Sequence, residues 1–286
     1  MNRIDLHTHS TFSDGTMTPE ELVSQAVSAG LKAFALTDHD TADGIPRALR
    51  AGLRQGVEVI PGIEFSTEYQ GQDIHIVGLE PDYMASGFQE QIKLYRENRL
   101  DRNKKIIQRM LQDGVDISLE KMRDRFGDMV WTRAHFARYL TEHDCTPDID
   151  TAFRTKLNFG CPYFIPRVKI HPAQVVALLR QYHGIPILAH PFQYKLSQEE
   201  LFTLLKLLKE QGLLGIEVYY STHTPEQEDF LYEVCRNFSL LPSGGSDYHG
   251  KNKPLIRMGT GMGNLCIPYE LLTALRCRRD LLKNEI

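Results

Sequence analysis

The chain has 286 residues, 42% of them hydrophobic, which suits one large domain or one domain that carries an insertion. Its net charge of -4 argues against extended non-specific binding to nucleic acid, which depends on many cationic contacts with phosphates. Five cysteines without CxxC spacing, no apolar run near the ~18 residues of a membrane span and no signal-peptide pattern predict a cytoplasmic protein without membrane partners.

Short apolar runs alternate with helical patterns along most of the chain. Capping boxes at Thr18, Ser197 and Thr224 predict the starts of three of these helices. Strands that alternate with helices of this length predict an α/β fold with parallel pairing, either a barrel or an open sheet. The predicted strands are Ile4–His7, Ala33–Thr37, Val57–Ile60, Ile74–Leu79, Pro186–Ala189, Gly215–Val218 and Leu240–Pro242.

The alternation fails between about Tyr83 and Arg167, where consecutive helices are predicted instead. A helical insertion in an α/β domain explains this pattern, so we expect a barrel domain at 1–82 and 167–286 and an insertion at 83–166. A further helix is expected near the C-terminus, at Tyr269–Lys283. The predicted helices of the insertion are Phe88–Gln112, Leu119–Phe126, Arg133–His143 and Ile149–Leu157.

Histidines and acidic residues recur at or near the predicted strand ends. His7 and His9 are two residues apart on an extended segment, so both side chains leave the same side of the strand and can hold one metal ion. In a parallel barrel the carboxyl ends of all strands face one side, where distant residues converge. Nitrogen and oxygen ligands together favour Zn, Mn or Fe over Mg or Ca alone. The candidate ligands are His7, His9, Asp14, His39, Glu64, His75, His190, Asp247 and His249.

Each of these residues taken alone has a simpler explanation. A single histidine such as His75 or His190 is more often a hydrogen-bonded core residue than a ligand. Glu64 by itself would be an ordinary solvated charge. The joint pattern favours a metal centre, because every element falls at a strand end in the same register.

Six stretches carry a resemblance to the PHP (polymerase and histidinol phosphatase) family of metal-dependent phosphoesterases, in the expected order and over most of the chain. The resemblance implies a distorted (β/α)7 barrel with an inserted helical cap and up to three divalent metal ions. Mn is the expected metal, with Zn or Fe as alternatives. The matching stretches are "DLHTHSTFSDGTMTPEELV", "LTDHDT", "PGIEFS", "HIVG", "LAHP" and "GGSDYHG".

The resemblance also implies how the ligands are shared among the ions. Glu64 bridges two sites and is the central candidate for catalysis. Asp38 and Asp40, which flank His39, orient ligands or handle a proton; helix capping and loop solvation explain them equally well. The implied sets are His7, His9, Glu64 and Asp247 for one ion, Glu64, His75 and His190 for a second, and Asp14, His39 and His249 for a third.

The insertion carries candidate substrate-binding residues. Arg99, Arg102 and Asn103 share one helix face, and Arg133 and His135 begin another helix. Guanidinium groups suit bidentate binding of phosphate, although a solvated charged face is the simpler explanation.

The chain resembles in particular the bacterial PHP subgroup that acts on nucleoside 3′,5′-bisphosphates. This resemblance implies removal of the 3′-phosphate, trimming of short RNA from its 5′ end by some members, and recognition of the 5′-phosphate by the insertion. One departure concerns the substrate pocket, because related sequences read Gly-Arg-Pro-His where this chain has Thr132, Arg133, Ala134 and His135.

Three other functions are compatible with parts of this pattern. A histidinol-phosphatase-like monophosphatase would use the same metals, with the insertion as a generic lid. A PHP module kept for structure or partner binding predicts missing ligands and an attached larger protein, whereas all nine ligand positions are filled here. An amidohydrolase with a related barrel fits the "GGSDYHG" ending poorly. The pattern predicts no obligate protein partner.

Overall fold

The computed structural model describes residues 2–166 and 170–283. It contains one eight-stranded mixed sheet, ordered β7-β6-β5-β4-β3-β2-β1-β8. Strands β1 to β3 are parallel and so are β5 to β7, whereas β4 runs antiparallel to both of its neighbours and β8 runs antiparallel to β1. The strands are β1 Arg3–Asp5, β2 Ala33–Leu36, β3 Glu58–Tyr69, β4 Gln72–Leu79, β5 Ile185–Leu188, β6 Gly215–Tyr220, β7 Leu241–Gly245 and β8 Ile267–Pro268.

The sheet curls until its two ends nearly meet. The Leu6 backbone N–H donates to the Gly244 carbonyl oxygen at 3.2 Å, and Thr8 forms a parallel bridge with Tyr248. Gly245 permits this approach, because a Cβ atom added there would lie 2.3 Å from the Cβ of His7. The result is the nearly closed, distorted barrel that the sequence predicted.

Helices surround the barrel, and the three predicted capping boxes at Thr18, Ser197 and Thr224 are all present. The last helix begins where Tyr269 donates its backbone N–H to the Asn2 carbonyl at 2.9 Å, beside the start of β1. The helices are α1 Pro19–Ser28, α2 Ile45–Gln55, α3 Ser86–Gln112, α4 Leu119–Phe126, α5 Arg133–Glu142, α6 Ile149–Ala152, α7 Pro172–Gln181, α8 Gln198–Glu210, α9 Pro225–Phe238 and α10 Tyr269–Lys283. None of the helices in the described ranges is long and apolar enough to cross a bilayer.

The expectation of purely parallel pairing is wrong for β4. Strand β3 continues far beyond the predicted end at Ile60 and returns through a tight turn at Gln70 and Gly71, which have φ values of 51° and 79°. Two adjacent residues with positive φ are typical of the turn that joins antiparallel strands. Glu64 therefore lies within a long strand rather than at its end.

The insertion has a hydrophobic cluster of its own, which includes Ile106, Met110, Trp131 and Phe136. The first turns of α3 belong instead to the cluster between the barrel and its outer helices, through Phe88 and Ile92. The proposed return of the chain to the barrel at residue 167 lies outside the described residues. The division into a barrel and an insertion stays a prediction that these separate clusters support.

Candidate metal centre

All nine predicted ligands lie at one edge of the barrel. His7 and His9 follow β1, His39 follows β2, and His190 follows β5. His75 lies near the start of β4; because that strand is antiparallel, its start reaches the edge where the parallel strands end. All nine are buried except His75, which is partly buried.

One group consists of His7, His9, Glu64 and Asp247. The Glu64 Oε2 atom lies 3.2 Å from His7 Nε2 and 3.1 Å from His9 Nε2, and Asp247 Oδ1 lies 3.3 Å from His9 Nε2. Ligand atoms about 2.1 Å from one ion are roughly 3.0–3.4 Å apart at tetrahedral or octahedral angles. The four side chains are therefore placed as one coordination shell would place them.

A second group surrounds Asp14. Its Oδ1 atom lies 3.1 Å from His249 Nε2, and its Oδ2 atom lies 3.7 Å from His39 Nε2. His9 joins this group, because its Nδ1 atom is 3.8 Å from Asp14 Oδ1. The structure thus adds His9 to the three residues that the family resemblance implied.

A third group forms on the other side of Glu64. The Glu64 Oε1 atom lies 2.7 Å from His75 Nδ1 and 3.0 Å from His190 Nε2. His39 Nδ1 approaches Glu64 Oε2 at 3.1 Å, so His39 stands between the second and third groups. Since Glu64 contacts ligands of two groups through different oxygens, it has the position of a bridging carboxylate.

The chemistry of these atoms fits divalent cations. Five buried atoms of the candidate ligands have no hydrogen-bond partner in the described part of the chain: His7 Nε2, His9 Nε2, Asp14 Oδ1, His39 Nδ1 and His190 Nδ1. A buried polar atom left unpaired costs about 1–3 kcal/mol. An imidazole nitrogen and a carboxylate oxygen can both donate an electron pair to a cation, which would satisfy them together.

Burial and charge shift the pKa values of these groups in opposite directions. Burial lowers the pKa of His9, but the close Asp247 and Glu64 carboxylates outweigh burial and raise that pKa to about 9. Burial raises the pKa of Glu64, yet the charges of His39 and His7 hold it well below the usual range of a glutamate. Glu64 is therefore ionised at neutral pH and available to a cation.

Glu217, which the sequence reasoning missed, contacts two of the candidate ligands, His7 and His190. Its Oε1 atom lies 2.8 Å from His7 Nδ1, and its Oε2 atom accepts the His190 backbone N–H at 2.7 Å. A carboxylate behind a ligating histidine fixes the ring and makes it a stronger ligand. An acidic residue in the otherwise apolar "GIEVYY" strand was the available signal.

Three residues at this edge have backbone conformations that are rare outside glycine. Asp40, His190 and Asp247 have φ values of 51°, 26° and 57°. Such conformations cost roughly 1–3 kcal/mol each and concentrate at functional sites. They turn the chain sharply at strand ends, which brings neighbouring side chains to the same edge.

The two aspartates that flank His39 are buried and contact neighbouring loops and the insertion. The Asp38 carboxylate accepts hydrogen bonds from the Ser10 and Ser13 hydroxyls at 2.6 and 2.7 Å. Asp40 accepts the Ser66 backbone N–H at 2.9 Å and forms an ion pair with Arg99. These contacts suit the orientation of the ligand-bearing loops, and the predicted role in proton transfer stays a prediction.

A cavity of about 380 Å³ is lined by several of the candidate metal ligands, and only some of the candidate substrate-binding residues line it. Arg133 lines this cavity and pairs with Asp73. Arg99, Arg102 and Asn103 are buried and do not line it.

For two of these three residues of α3, contacts with other residues explain why they do not line the cavity. The Arg99 guanidinium contacts Asp40 and also Ser66 Oγ at 2.9 Å, and Asn103 donates to the Trp131 carbonyl at 3.0 Å. Their role in phosphate binding stays a prediction.

His135 does not line this cavity either. Its Nδ1 atom accepts the Thr132 backbone N–H at 3.0 Å within a capping box, and burial lowers its pKa to about 4. Thr132 itself donates its hydroxyl to Asp14 Oδ2 at 2.8 Å. The Thr132 substitution in the family motif thus adds a direct contact between the insertion and a candidate metal ligand.

Comparison with known proteins identifies the class. The sequence profile described as PHP domain matches residues 5–254. A 5′-3′ exoribonuclease from Haemophilus influenzae is 33% identical over 265 residues, which cover 89% of this chain and 95% of the relative. A 3′,5′-nucleoside bisphosphate phosphatase from Chromobacterium violaceum is 31% identical over 258 residues, which cover 87% and 88%. A crystal structure from Bifidobacterium adolescentis, assigned as a metal-dependent phosphoesterase, superposes with a TM-score of 0.85 at 28% identity, covering 97% of this chain and 96% of that one.

The fold, the clustered ligands and these relatives define a metal-dependent phosphoesterase with residues for more than one metal ion. The profile matches most of this chain, and the two relatives are aligned over 95% and 88% of their own lengths. The chain belongs to the PHP family, as its motifs indicated.

Proposed function

We propose that this protein hydrolyses the 3′-phosphate ester of nucleoside 3′,5′-bisphosphates to a 5′-nucleotide and phosphate, and that it also trims short 5′-phosphorylated RNA. One observation carries the proposal: the 380 Å³ cavity is lined both by candidate metal ligands and by Arg133 of the insertion. Cavities of about 300–1,000 Å³ suit small ligands. The relatives from H. influenzae and C. violaceum are named for these two reactions.

The three groups around Glu64 and Asp14 would hold two to three divalent ions, and we propose Mn as the physiological metal, with Zn or Fe as alternatives. Divalent ions in such a centre lower the pKa of a coordinated water from about 15.7 towards 7 and neutralise charge on phosphoryl oxygens. The mixed imidazole and carboxylate set suits these metals. Within the proposal, Glu64 holds two ions in fixed relation.

Arg133 would hold the 5′-phosphate of the bound nucleotide. Its side chain is about one-fifth exposed, lines the cavity and is paired with Asp73, which also lines the cavity. A phosphate offers the guanidinium two oxygens and more negative charge than a carboxylate, so it can displace Asp73. Phe153 and Ile149 line the same wall and would exclude water beside the nucleoside.

The charge of the cavity remains suited to an anion after the residues that sequence reasoning missed are included. Glu217 adds a carboxylate beside His7, and Lys253 adds an ammonium 2.5 Å from Asp247 Oδ2. These two charges offset each other. The proposed divalent ions therefore still outweigh the carboxylates of Asp14, Glu64 and Asp247 and leave positive charge for the phosphoryl group.

We also propose that residues 83–166 act as a substrate cap. Arg133, Ala134, Ile149 and Phe153 from this segment line the cavity, so the insertion forms one wall of the site. The hydrogen bond from Thr132 to Asp14 connects that wall with the metal centre.

Turnover of adenosine 3′,5′-bisphosphate by Mn-loaded protein tests the proposal, with phosphate release and metal content measured on one preparation. We expect its kcat/KM to exceed those for histidinol phosphate and p-nitrophenyl phosphate. A folded, metal-loaded sample that releases no phosphate would refute it. Greater turnover of histidinol phosphate would favour the monophosphatase alternative.

The 5′-phosphate contact is tested with Arg133→Gln. Loss of a charge-assisted hydrogen bond of about 1.5–3 kcal/mol predicts a roughly tenfold to hundredfold rise in KM for the bisphosphate, with KM for p-nitrophenyl phosphate unchanged. Arg123→Gln, an exposed arginine elsewhere in the insertion, is the matched control. Equal effects on both substrates would exclude the contact.

A further inference from the structure

The 380 Å³ cavity lined by the candidate metal ligands is called the metal cavity below. A second cavity, of about 590 Å³, adjoins it. It lies between helices α4 and α5 and the loops that follow β1 and β7, which contribute Thr16 and Lys251 to its wall. Three residues, Ala134, Ile149 and Asn252, line both cavities. A ligand too long for the metal cavity can therefore extend into this second one.

The second cavity is cationic, in contrast to the chain as a whole. Arg125, Arg138 and Lys251 line it, and Glu142 is the acidic residue among its walls. His135 adds no charge at neutral pH, because burial lowers its pKa to about 4. The balance is positive in a chain whose net charge is -4.

The two guanidinium groups are held in place while part of each stays accessible. Arg125 donates to both Glu142 oxygens at 2.7 and 2.6 Å, and Arg138 donates to one of them at 2.7 Å. Their side chains remain 42% and 36% exposed, and each guanidinium lies within 6 Å of the Phe126 ring centre. Guanidinium groups fixed in this way can bind a phosphodiester or stack on a base without losing further freedom.

We propose that this second cavity binds the nucleotides that follow the scissile phosphate in a 5′-phosphorylated RNA, an inference that rests on the proposed function. In RNA the phosphate at the 3′ position carries the next nucleotide, which must leave the metal cavity at a point away from Arg133. Arg133 and Arg138 are five residues apart on α5 and face different sides of it, the first towards the metal cavity and the second towards the adjoining one.

The proposed reaction on RNA also requires a place for the part of the RNA beyond the cleaved bond. Water adds its oxygen to phosphorus, the bond from phosphorus to O3′ breaks, and O3′ leaves with a proton. The products are a 5′-nucleotide and an RNA shortened by one residue, with the phosphate retained as its new 5′-phosphate. The retained fragment is the part that the second cavity would hold.

Another basic cavity does not fit this role. Lys93, Arg96 and Arg123 line a cavity of about 400 Å³ elsewhere on the insertion. It shares no wall residue with the metal cavity among the described residues, so a chain bound at the metals would not enter it directly. Arg123→Gln in that cavity therefore supplies a matched control.

The test compares Arg138→Gln, Lys251→Gln and Arg123→Gln with the unaltered protein, on adenosine 3′,5′-bisphosphate and on a short 5′-phosphorylated oligoribonucleotide. Removal of one phosphate contact at the second cavity should lower kcat/KM for the RNA about tenfold and leave the bisphosphate value unchanged. It should also reduce the slope of log kcat/KM for RNA against log salt by about 0.7. Arg123→Gln should change neither.

The outcomes separate this inference from the proposed function. Failure of the unaltered, metal-loaded protein to hydrolyse the bisphosphate would overturn the proposed function. Hydrolysis of the bisphosphate but not of the RNA would overturn the proposed RNA trimming together with the second-cavity assignment. Equal RNA turnover by all the variants would overturn the second-cavity assignment alone. Because Lys251 is exposed, Lys251→Gln tests the assignment even if Arg138→Gln folds poorly.

Discussion

The barrel edge and the helical insertion hold their charged side chains in different ways. At the barrel edge, Glu64 is shared among several imidazoles, and buried nitrogen atoms of His7 and His9 are left without hydrogen-bond partners among the described residues. In the insertion, Arg99 and Arg133 each pair with a carboxylate of the barrel. The unpaired imidazole nitrogens of the edge are suited to a cation, whereas these two arginines of the insertion already have anionic partners.

This difference separates two kinds of binding. A cation can enter the barrel edge with little rearrangement of side chains, because the lone pairs already converge. A phosphate that binds Arg133 must first replace Asp73. Metal affinity should therefore depend on a few fixed atoms, while substrate affinity should depend on an exchange of partners.

The largest effect is expected at Glu64, which is itself a member of two of the three groups. Glu64→Gln keeps the size of the side chain and removes its charge, so the proposed bridge loses its anionic ligand. We expect metal content to fall and kcat/KM for the bisphosphate to drop roughly a thousandfold, as the loss of several kcal/mol of stabilisation implies. Metal analysis and phosphate release measure these two quantities.

Glu210→Gln, an exposed change on α8, is the control and should alter neither the metal content nor kcat/KM. Retained metal content in Glu64→Gln would contradict the bridging position.

The next effect concerns stability and separates two interpretations of Arg99. Arg99→Met removes the cationic partner of a buried ion pair while the Asp40 carboxylate stays buried, so the free energy of unfolding should fall by up to about 3–5 kcal/mol. Urea denaturation in the presence of a chelator measures it. The double variant Arg99→Met/Asp40→Asn should recover part of the loss. Unchanged stability with a raised KM would instead support the phosphate-binding role predicted from sequence.

These residues also show what sequence alone can predict. His7, His9, Asp247 and His249 follow short strands, so strand geometry and a recognisable barrel suffice to bring them together. Arg99 illustrates what is missing from such reasoning.

The helix face of Arg99 could be read from its spacing, but its partner Asp40 lies 59 positions away and shows only in the folded chain. The antiparallel course of β4 and the support from Glu217 likewise depend on long-range packing. Local patterns place residues on elements, whereas partners between elements follow from the complete fold.

A smaller effect is expected from Glu217→Gln. This variant tests whether the positions of His7 and His190 at the barrel edge depend on their contacts with Glu217. Glutamine offers one acceptor oxygen where the His7 ring and the His190 backbone N–H need two. Loss of such support lowers metal affinity by about tenfold to a hundredfold. Calorimetric titration with Mn²⁺ measures it, with Glu228→Gln on α9 as the control. Unchanged affinity would show that the ligands hold their positions without Glu217.

The smallest effect is expected from Arg96→Met, the matched partner of Arg99→Met on the same helix. Arg96 pairs with Asp43 at 2.7 Å, but the two side chains are 38% and 46% exposed, whereas those of Arg99 and Asp40 are 3% and 5% exposed. Water screens the exposed pair and solvates Asp43 once Arg96 is gone, so the loss of unfolding free energy should stay within about 0–1 kcal/mol. The same urea measurement applies to both variants. A similar loss of unfolding free energy for the two variants would mean that burial does not set the difference in strength between these two ion pairs.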